Sequence, residues 1–468
     1  MTTFSGLNTA LTALHAQRRG LDVTGQNIAN ANTEGYSRQR AELTAVAGVR
    51  LPAMYSTGDP GPGGVTVTSV SRLHDEFFDN RARVERGLSA YLNGQRDIYG
   101  RVEQVIGEPS DTGLQSQLAD LWSGWHDIAN RPGDAAARTQ LLSRARTIAD
   151  TFANKHDGLA SLWDSTQQQL GAAVTEVNQT AGAIAELNHR IIVAQQADLP
   201  ANELADKRDQ LVLKLSQLTG ATSRPRDDGS VDVLISGSLL ISREDVRQLE
   251  LVGATNLTDQ ASDPVTVRWT DTKLSSGISS GSMASEMETL TTTIPTTAAD
   301  LDALAAQLAT AVNGQHQLGY DLNGTGGAPF FTGNTAKTLT VAISNTSEIA
   351  ASDAPPTVNP DGSLSPNFNG ANATALANLA KDPIGTDASY RTFVVNIGVA
   401  AQTVNRRAEV QDTIAQGVES ARLATSGVSL DEEMTNMLQY QRAYEAAARV
   451  ISVIDSTLDT LVNGMLVR

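Results

Sequence analysis

The chain contains no cysteine, few aromatic residues and no long apolar run. The absence of cysteine excludes disulfides, thiol nucleophiles and cysteine-ligated metals. The first eleven residues lack the basic stretch and apolar core of a secretory signal peptide, and no uncharged apolar run is long enough to span a membrane. Only 4% of the 468 residues are aromatic, which favours long helices and polar interfaces. This length predicts two to four domains.

Clusters of basic residues are missing as well. The chain has 35 lysines and arginines against 52 aspartates and glutamates, and its formal net charge is -17 at pH 7. Such a charge repels phosphate backbones and anionic lipid. We therefore expect no nucleic acid and no membrane surface among its partners.

The N-terminal segment has an apolar heptad pattern. Its apolar residues recur at steps of three and four, broken only at Arg18 and Gly25, and this predicts a helix with a coiled-coil seam. The asparagine-rich stretch 27–32 ends the pattern, and Gly35 can adopt the positive φ that follows such a helix. The seam residues predicted here are Phe4, Leu7, Leu11, Leu14, Leu21 and Ile28.

The C-terminal segment carries the same pattern without interruption. Ser429 and Glu432 have the spacing of a capping box, which predicts the start of the helix. The predicted seam is Met437, Tyr440, Tyr444, Ala447, Ile451, Ile454, Leu458, Leu461 and Met465. Periodicity alone leaves open whether the two terminal seams form a coiled coil within one soluble protein or belong to an assembly of several copies.

The middle of the chain alternates helical and β patterns. Helical spacing is found at 77–105, 114–128, 135–197, 283–318 and 390–467, the last with a break at 426–427. The proline- and glycine-rich run 51–64 predicts an irregular linker. Short β-branched runs after residue 218, and a weaker stretch at 319–385, predict inserted strands.

These patterns predict a multidomain α plus β fold. It combines terminal helices that form a coiled coil, a bundle of long helices, and one or more inserted, mainly β domains. We assign 1–50 with 427–468 to the terminal coiled coil. The helical bundle takes 51–218, 283–318 and 388–426, and the β part takes 219–282 and 319–387.

One string has the pattern of a serine-hydrolase nucleophile elbow. It is Gly277-Ile278-Ser279-Ser280-Gly281, and Asp300, Asp302 and His316 follow in the order of a hydrolase triad. However, no alternating strand–helix series predicts the parallel sheet of such enzymes, and no oxyanion-hole glycine run precedes the string. We interpret it as a flexible connection between a strand and a helix.

Metal and phosphate sites are not predicted either. The six histidines are scattered without ligand spacing. The segment 321–324 resembles the start of a calcium loop, but Thr332 stands where a bidentate glutamate is needed. The run 58–64 lacks the Lys-Ser/Thr end of a phosphate loop, and its prolines remove amide donors.

The segment from Asn27 to Gln39 resembles the N-terminal motif of bacterial flagellar rod, hook and hook-associated proteins. That motif is usually Asn-Ile-Ala-Asn, two or three residues, then Thr-Pro-Gly-Tyr. Glu34 stands where proline is common, and we interpret it as a tolerated change in a loop. The segments 426–434 and 440–451 are similar to the matching C-terminal end of the same proteins. The motif residues are Asn27, Asn30, Asn32, Gly35, Tyr36, Gln441 and Tyr444.

Further segments resemble the hook-associated protein 1 (FlgK) family in particular. They are 204–212 with 228–233, and 301–331 with its Asn313, His316, Gly319, Tyr320 and Asp321. The resemblance covers most of the chain and is weakest at 332–387. Another flagellar axial component, a hook or rod protein, stays open as an alternative, and a hydrolase built around Ser279 is a more distant one.

The resemblance implies an extracellular structural protein at the junction between flagellar hook and filament, which it joins and where it templates filament assembly. Its implied partners are its own copies in a ring, the hook protein below, hook-associated protein 3 above, and a cytoplasmic export chaperone on the C-terminal helix. It also implies type III export of the unfolded chain without a cleaved signal. The terminal helices would form the innermost tube layer, with no catalysis and no cofactor.

Overall fold

A computed structural model describes residues 3–46, 63–362 and 364–466. The chain divides into two compact units. The terminal unit comprises Met1–Leu88, Val177–Gln248 and Asp412–Arg468, and the central unit comprises Ser89–Glu176 and Leu249–Gln411. The three-part division made from the sequence stays a prediction. Residues 51–62 of the predicted linker, which include most of the glycine-rich run 58–64, lie outside the described residues.

Helices account for most of the described chain, and all but α6 and α8 are long. They are α1 (Thr3–Ala29), α2 (Glu76–Ile106), α3 (Leu114–Asn130), α4 (Ala135–Gln196), α5 (Asn202–Thr219), α6 (Ser282–Glu288), α7 (Ile294–His316), α8 (Ala371–Asn378), α9 (Thr386–Ser426) and α10 (Leu430–Leu466). The helices predicted from hydrophobic spacing are all present, and α4 is one helix of 62 residues. No helix within the described ranges is long and apolar enough to cross a membrane.

The strands are short and antiparallel. They are β1 (Gln39–Val46), β2 (Gly64–Arg72), β3 (Thr222–Pro225), β4 (Val231–Ile235), β5 (Ser238–Ser242), β6 (Asp245–Val246), β7 (Leu249–Val252), β8 (Thr266–Trp269), β9 (Phe331–Thr332), β10 (Thr340–Val341), β11 (Thr357–Val358) and β12 (Leu364–Ser365). Strands β3 to β6 form a four-stranded meander, and the others pair in twos. The prediction of a multidomain α plus β chain is confirmed.

In the terminal unit, α4 is joined to the β3–β6 sheet by a buried asparagine. The amide of Asn188 donates to the carbonyls of Val231 and Arg243 at 2.9 and 2.6 Å and accepts from the Val231 N–H. Since every polar atom of this side chain is bonded, its burial carries no unpaired-group penalty. Asn188 therefore fixes the sheet against the helix.

The β1–β2 hairpin was not anticipated from the sequence. Its register runs from Gln39 opposite Arg72 to Val46 opposite Gly64, with a bulge between Glu42 and Leu43. Buried and exposed residues alternate only in the first half of β1, and most residues of β2 are partly exposed. Such a weak alternation of buried and exposed residues does not distinguish a strand from a loop in the sequence.

In the central unit, the core is built on aromatic rings around His316. The Trp125 and Phe330 rings lie 5.2 Å apart between centroids, and the His316 ring lies 6.1 and 5.4 Å from them. Nearby, the buried Arg138 guanidinium donates to the carbonyls of Pro132, Thr346 and Ile349. Burial lowers the pKa of Arg138 to about 10.

A π-helical turn at Thr289–Thr293 joins α6 to α7. Pro295 follows it in the first turn of α7, and proline supplies no N–H to an α-helical hydrogen bond. The wider turn accommodates the proline while the chain stays helical. The carbonyl of Leu290 within this turn accepts from the buried Trp163 indole N–H at 3.0 Å.

Candidate functional site: the paired terminal helices

Helices α1 and α10 pack against each other in an antiparallel pair. Gly6 of α1 lies against Ile454, Gly20 lies against Tyr440, and the Asn27 amide donates to the Glu433 carboxylate at 2.9 Å. A Cβ at position 20 would lie 2.8 Å from the Tyr440 ring, closer than side chains approach one another. The glycines thus let the two helices approach closely.

The line of α1 that contacts α10 differs from the apolar seam predicted from the sequence. Ala10, Gly20, Thr24 and Asn27 are buried, whereas Leu11 is 45% exposed. The other predicted residues with described side chains, Leu7, Leu14, Leu21 and Ile28, are only partly buried. The reason is steric: small residues on the contact line bring α10 close to the α1 backbone, and the larger leucines lie beside it. Phe4 lies in α1, but its side chain is outside the described part.

The predicted row on α10 is the less exposed side of that helix. Met437, Tyr440, Tyr444, Ile451, Ile454 and Leu458 are partly buried, and Ala447 is buried. Leu461 differs from the prediction because it is 52% exposed: it lies near the end of the helix, beyond the positions that face α1. The side chain of Met465 lies outside the described part of the chain. That these residues drive assembly remains a prediction.

The N-terminal family motif closes the pair through Asn27, which is 1% exposed. Its side-chain oxygen accepts from the Tyr36 hydroxyl at 2.8 Å and from the Gln39 N–H at 3.0 Å, while its amide donates to the Gln39 carbonyl and to Glu433. Burial, together with the nearby carboxylates, raises the pKa of Tyr36 to about 12, so its hydroxyl stays a donor. Asn27 thus joins α1, β1 and α10.

Arg38 attaches the motif loop to the start of α10. Its guanidinium contacts the Glu433 carboxylate at 2.7 Å from two nitrogens and Glu432 at 2.7 Å from the third. The backbone N–H of Arg38 donates to the Ser426 carbonyl at the end of α9. The capping box predicted at Ser429 forms only in part, since the Glu432 N–H donates to Ser429 over a long 3.5 Å and the Glu432 side chain binds Arg38.

Helix α5 holds the other side of the motif loop. The Asp206 carboxylate accepts from the Ser37 N–H at 3.2 Å, and the Gln210 amide donates to the Glu34 carbonyl. Gly35 has φ +74° and lies against Gln210, so a side chain there would be both strained and obstructed. Glu34, which replaces the usual proline, is exposed and leaves the loop intact.

A charged cluster lies behind this contact. The Arg72 guanidinium donates to Asp206 and Asp209 at 2.8 and 2.9 Å, and Arg83 and Arg208 also approach Asp209. Burial alone would raise the pKa of Asp209, but the three arginines lower it below its usual value. The cluster links β2, α2 and α5 within the terminal unit.

The remaining motif residues have lesser roles. Asn30 donates to the Gln26 carbonyl and accepts from Thr33, which shapes the turn after α1. Asn32 and Gln441 are exposed. The roles of Arg38, Asp206 and Glu433 were not predicted from the sequence, because their partners lie on segments distant in the chain.

Replacing Asn27 by alanine is expected to lower the free energy of unfolding by about 2 kcal/mol, because Glu433, Tyr36 and the Gln39 backbone each lose a buried partner. Chemical unfolding followed by far-ultraviolet circular dichroism measures this. Asn32→Ala, in the same loop but exposed, is the control and should change stability by no more than about 0.5 kcal/mol. Equal effects of the two changes would contradict the role of Asn27.

The serine string does not form a catalytic triad. Ser279 is exposed in the segment before α6, and Asp300 is exposed on α7. His316 is fully buried; its Nδ1 lies 2.7 Å from the Ala328 carbonyl and its Nε2 accepts from the Ala350 N–H. Both ring nitrogens are therefore engaged by the backbone. Asp302 accepts from the Ala336 N–H.

The segment 321–324 is a turn. The Asp321 carboxylate accepts from the backbone N–H groups of Asn323 and Thr325 and from both of their side chains. Its oxygens are thus used within the loop, as expected of a turn rather than a calcium site. Across the described residues, no group of three or more histidines, aspartates or glutamates could hold a metal ion.

Comparison with known proteins gives three family matches. Residues 99–331 match the flagellar hook-associated protein FlgK helical domain. Residues 7–36 match the flagella basal body rod protein family, and residues 419–464 match the flagellar basal body rod FlgEFG protein C-terminal family. The rod-type matches thus fall on α1 with its motif loop and on α10, while the match between them is of the hook-associated type.

Relatives match along the whole chain. Flagellar hook-associated protein 1 of Bacillus subtilis is 30% identical over 99% of this chain and 98% of its own length. The Escherichia coli protein of the same name is 25% identical over 98% and 99%. The structure of the flagellar hook junction protein FlgK from Burkholderia pseudomallei shares the fold, with a TM-score of 0.64 at 17% identity, and covers 74% of this chain and 100% of that one. The chain therefore belongs to the flagellar hook-associated protein 1 family.

Proposed function

We propose that this chain is a structural component of the bacterial flagellum that joins hook to filament and templates filament assembly. The observation that carries the proposal is the 30% identity to a flagellar hook-associated protein 1 over 99% of the chain. The paired terminal helices support it, because α1 and α10 form one building block from the two ends of the sequence. The relatives are named as flagellar proteins, which supports a structural rather than an enzymatic role.

The alternatives receive no comparable support. The rod-type family matches are confined to residues 7–36 and 419–464, whereas residues 99–331 match a hook-associated domain. This distribution favours a junction protein over a rod or hook protein. A hydrolase around Ser279 is not favoured either, because His316 is fully buried and bonded to the backbone.

We infer that the partners are other copies of the chain in a ring, the hook protein below and hook-associated protein 3 above. In this arrangement the terminal helices form the inner tube layer, with the helical bundle around them and the β part outward. The place of action is then outside the cell, reached by type III export without a cleaved signal.

A cytoplasmic export chaperone is a further proposed partner. Helix α10 exposes apolar side chains beside the line that contacts α1, among them Val450 at 48% and Val453 at 64%. A chaperone that covers such a stripe would keep it from aggregating before export. The helix-in-groove mode suits this pattern of anchors.

Electron microscopy of a strain that lacks the gene tests the proposed function. We expect hooks with bare tips and filament subunits in the medium, both reversed by the wild-type gene. A Ser279→Ala gene should restore filaments as well as the wild type does, since no catalysis is required. Filaments of normal number and attachment in the deletion strain would refute the proposal.

A further inference from the structure

A groove runs along α1 on the side of the β1–β2 hairpin. It has a volume of about 950 Å³ and is lined by α1 at His15, Ala16 and Arg19, by residues 65–70 of β2, and by the turn at 198–200. Leu199 at this groove is 61% exposed and Val46 is 45% exposed. The groove thus presents apolar surface together with Arg19 and Asp198, and we call it the acceptor groove.

A different side of α1 carries exposed leucine. The contacts of Gly20 and Thr12 define the sides of α1 that face α10 and the hairpin. At 100° per residue, Leu7, Leu11 and Leu14 lie on a third side, and Leu11 is 45% exposed. We call these three residues the leucine row. Because neither α10 nor the hairpin packs on this side, Leu11 is available to a further partner.

Charged residues beside the leucine row have partners of opposite charge in the acceptor groove. Glu445 of α10 is exposed and level with the acceptor groove, because Tyr440 lies opposite Gly20 and the helices are antiparallel. The groove of a second copy presents Arg19, whose charge is opposite to that of Glu445. Arg18, beside the leucine row, matches Asp198 in the groove. Such matching favours one docking orientation.

We propose that the leucine row of one copy docks into the acceptor groove of a second copy, with Glu445 facing Arg19. The two surfaces lie on different sides of α1, so each copy uses one and leaves the other for the next copy. A head-to-tail contact of this kind closes into a ring when the rotation allows. The inference rests on the proposed function, because the ring is where the copies meet.

Cross-linking tests the contact, since the chain has no cysteine of its own. A gene encoding Leu11→Cys with Leu199→Cys replaces the native gene, and isolated hook preparations are treated with a short bismaleimide. We expect a ladder of dimers and larger multimers on a denaturing gel. Leu11→Cys alone should give no ladder. Neither should Leu11→Cys with Leu274→Cys, where Leu274 is 68% exposed in the central unit.

Two negative results have different meanings. If the cells swim and carry filaments but the chain stays monomeric on the gel, the proposed contact is wrong while the proposed function stands. If the chain is absent from hook preparations and the cells carry filaments, the proposed function fails. Cross-linking in the Leu274 pair equal to that of the Leu199 pair would also overturn the contact.

Charge reversal gives a second readout. Arg19→Glu is expected to reduce the fraction of hooks with a filament about tenfold, because it places like charges across the contact. Adding Glu445→Arg to the same chain should restore that fraction, since the pair forms again between copies. Lack of restoration, with both single variants folded by circular dichroism, would contradict the assigned partners.

Discussion

Replacing Arg72 by methionine is expected to lower the free energy of unfolding of the terminal unit by about 4 kcal/mol. Arg72 is 11% exposed and donates to both Asp206 and Asp209, so its loss leaves two neighbouring carboxylates without their shared cation. Methionine keeps much of the apolar stem, which confines the change to the charge. Segment-resolved hydrogen exchange should show faster exchange in α5, β1 and β2.

Arg40→Met is the matched control for that experiment. Arg40 lies on the paired strand, is 59% exposed and binds Glu42 at 2.8 Å. An exposed ion pair contributes at most about 1 kcal/mol, so this change should have little effect. If Arg72→Met were no more destabilising than Arg40→Met, the charged cluster would not stabilise the motif loop.

The second large effect is a loss of stability of the central unit in acid. Burial lowers the pKa of His316 from 6.5 to about 4. Between these values the unfolded chain binds a proton at His316 and the folded chain does not. Stability therefore falls as the pH drops from 6.5 to 4, by about 3 kcal/mol, and this contribution is constant outside that window.

Chemical unfolding at several pH values, followed by tryptophan fluorescence, measures this effect. All four tryptophans lie in the central unit, and Trp125 packs beside His316. Glu286 has a pKa raised to about 7 by burial, and it opposes the trend because its stabilising effect is lost as the pH rises. The informative quantity is thus the difference between the wild type and His316→Gln, which cannot titrate. Parallel pH profiles would contradict the role of His316.

Much of the candidate site followed from local sequence. Helices α1 and α10 were predictable because their apolar residues recur at coiled-coil spacing. Gly35 was predictable as a positive-φ position, and its φ is +74°. The contact line on α1 was not predictable, since a helix that carries both small residues and leucines has two candidate sides. Only the position of Tyr440 against Gly20 decides between them.

The charged cluster and the hairpin needed the tertiary structure for a related reason. Arg72 and Asp206 are 134 positions apart, and Arg38 and Glu433 are 395 apart. A local window cannot pair such residues, because the pairing depends on how the chain returns to the same place. In the β1–β2 hairpin, buried and exposed residues alternate too weakly to predict strands.

The sequence by itself determined the helices, the family and the absence of thiol chemistry, because these depend on local spacing and residue type. Only the tertiary structure decided which side of α1 is buried, which acids neutralise Arg38 and Arg72, and that both ring nitrogens of His316 are engaged. Those outcomes depend on packing between segments distant in sequence. There, the size of a side chain and the burial of a charge outweigh local preference.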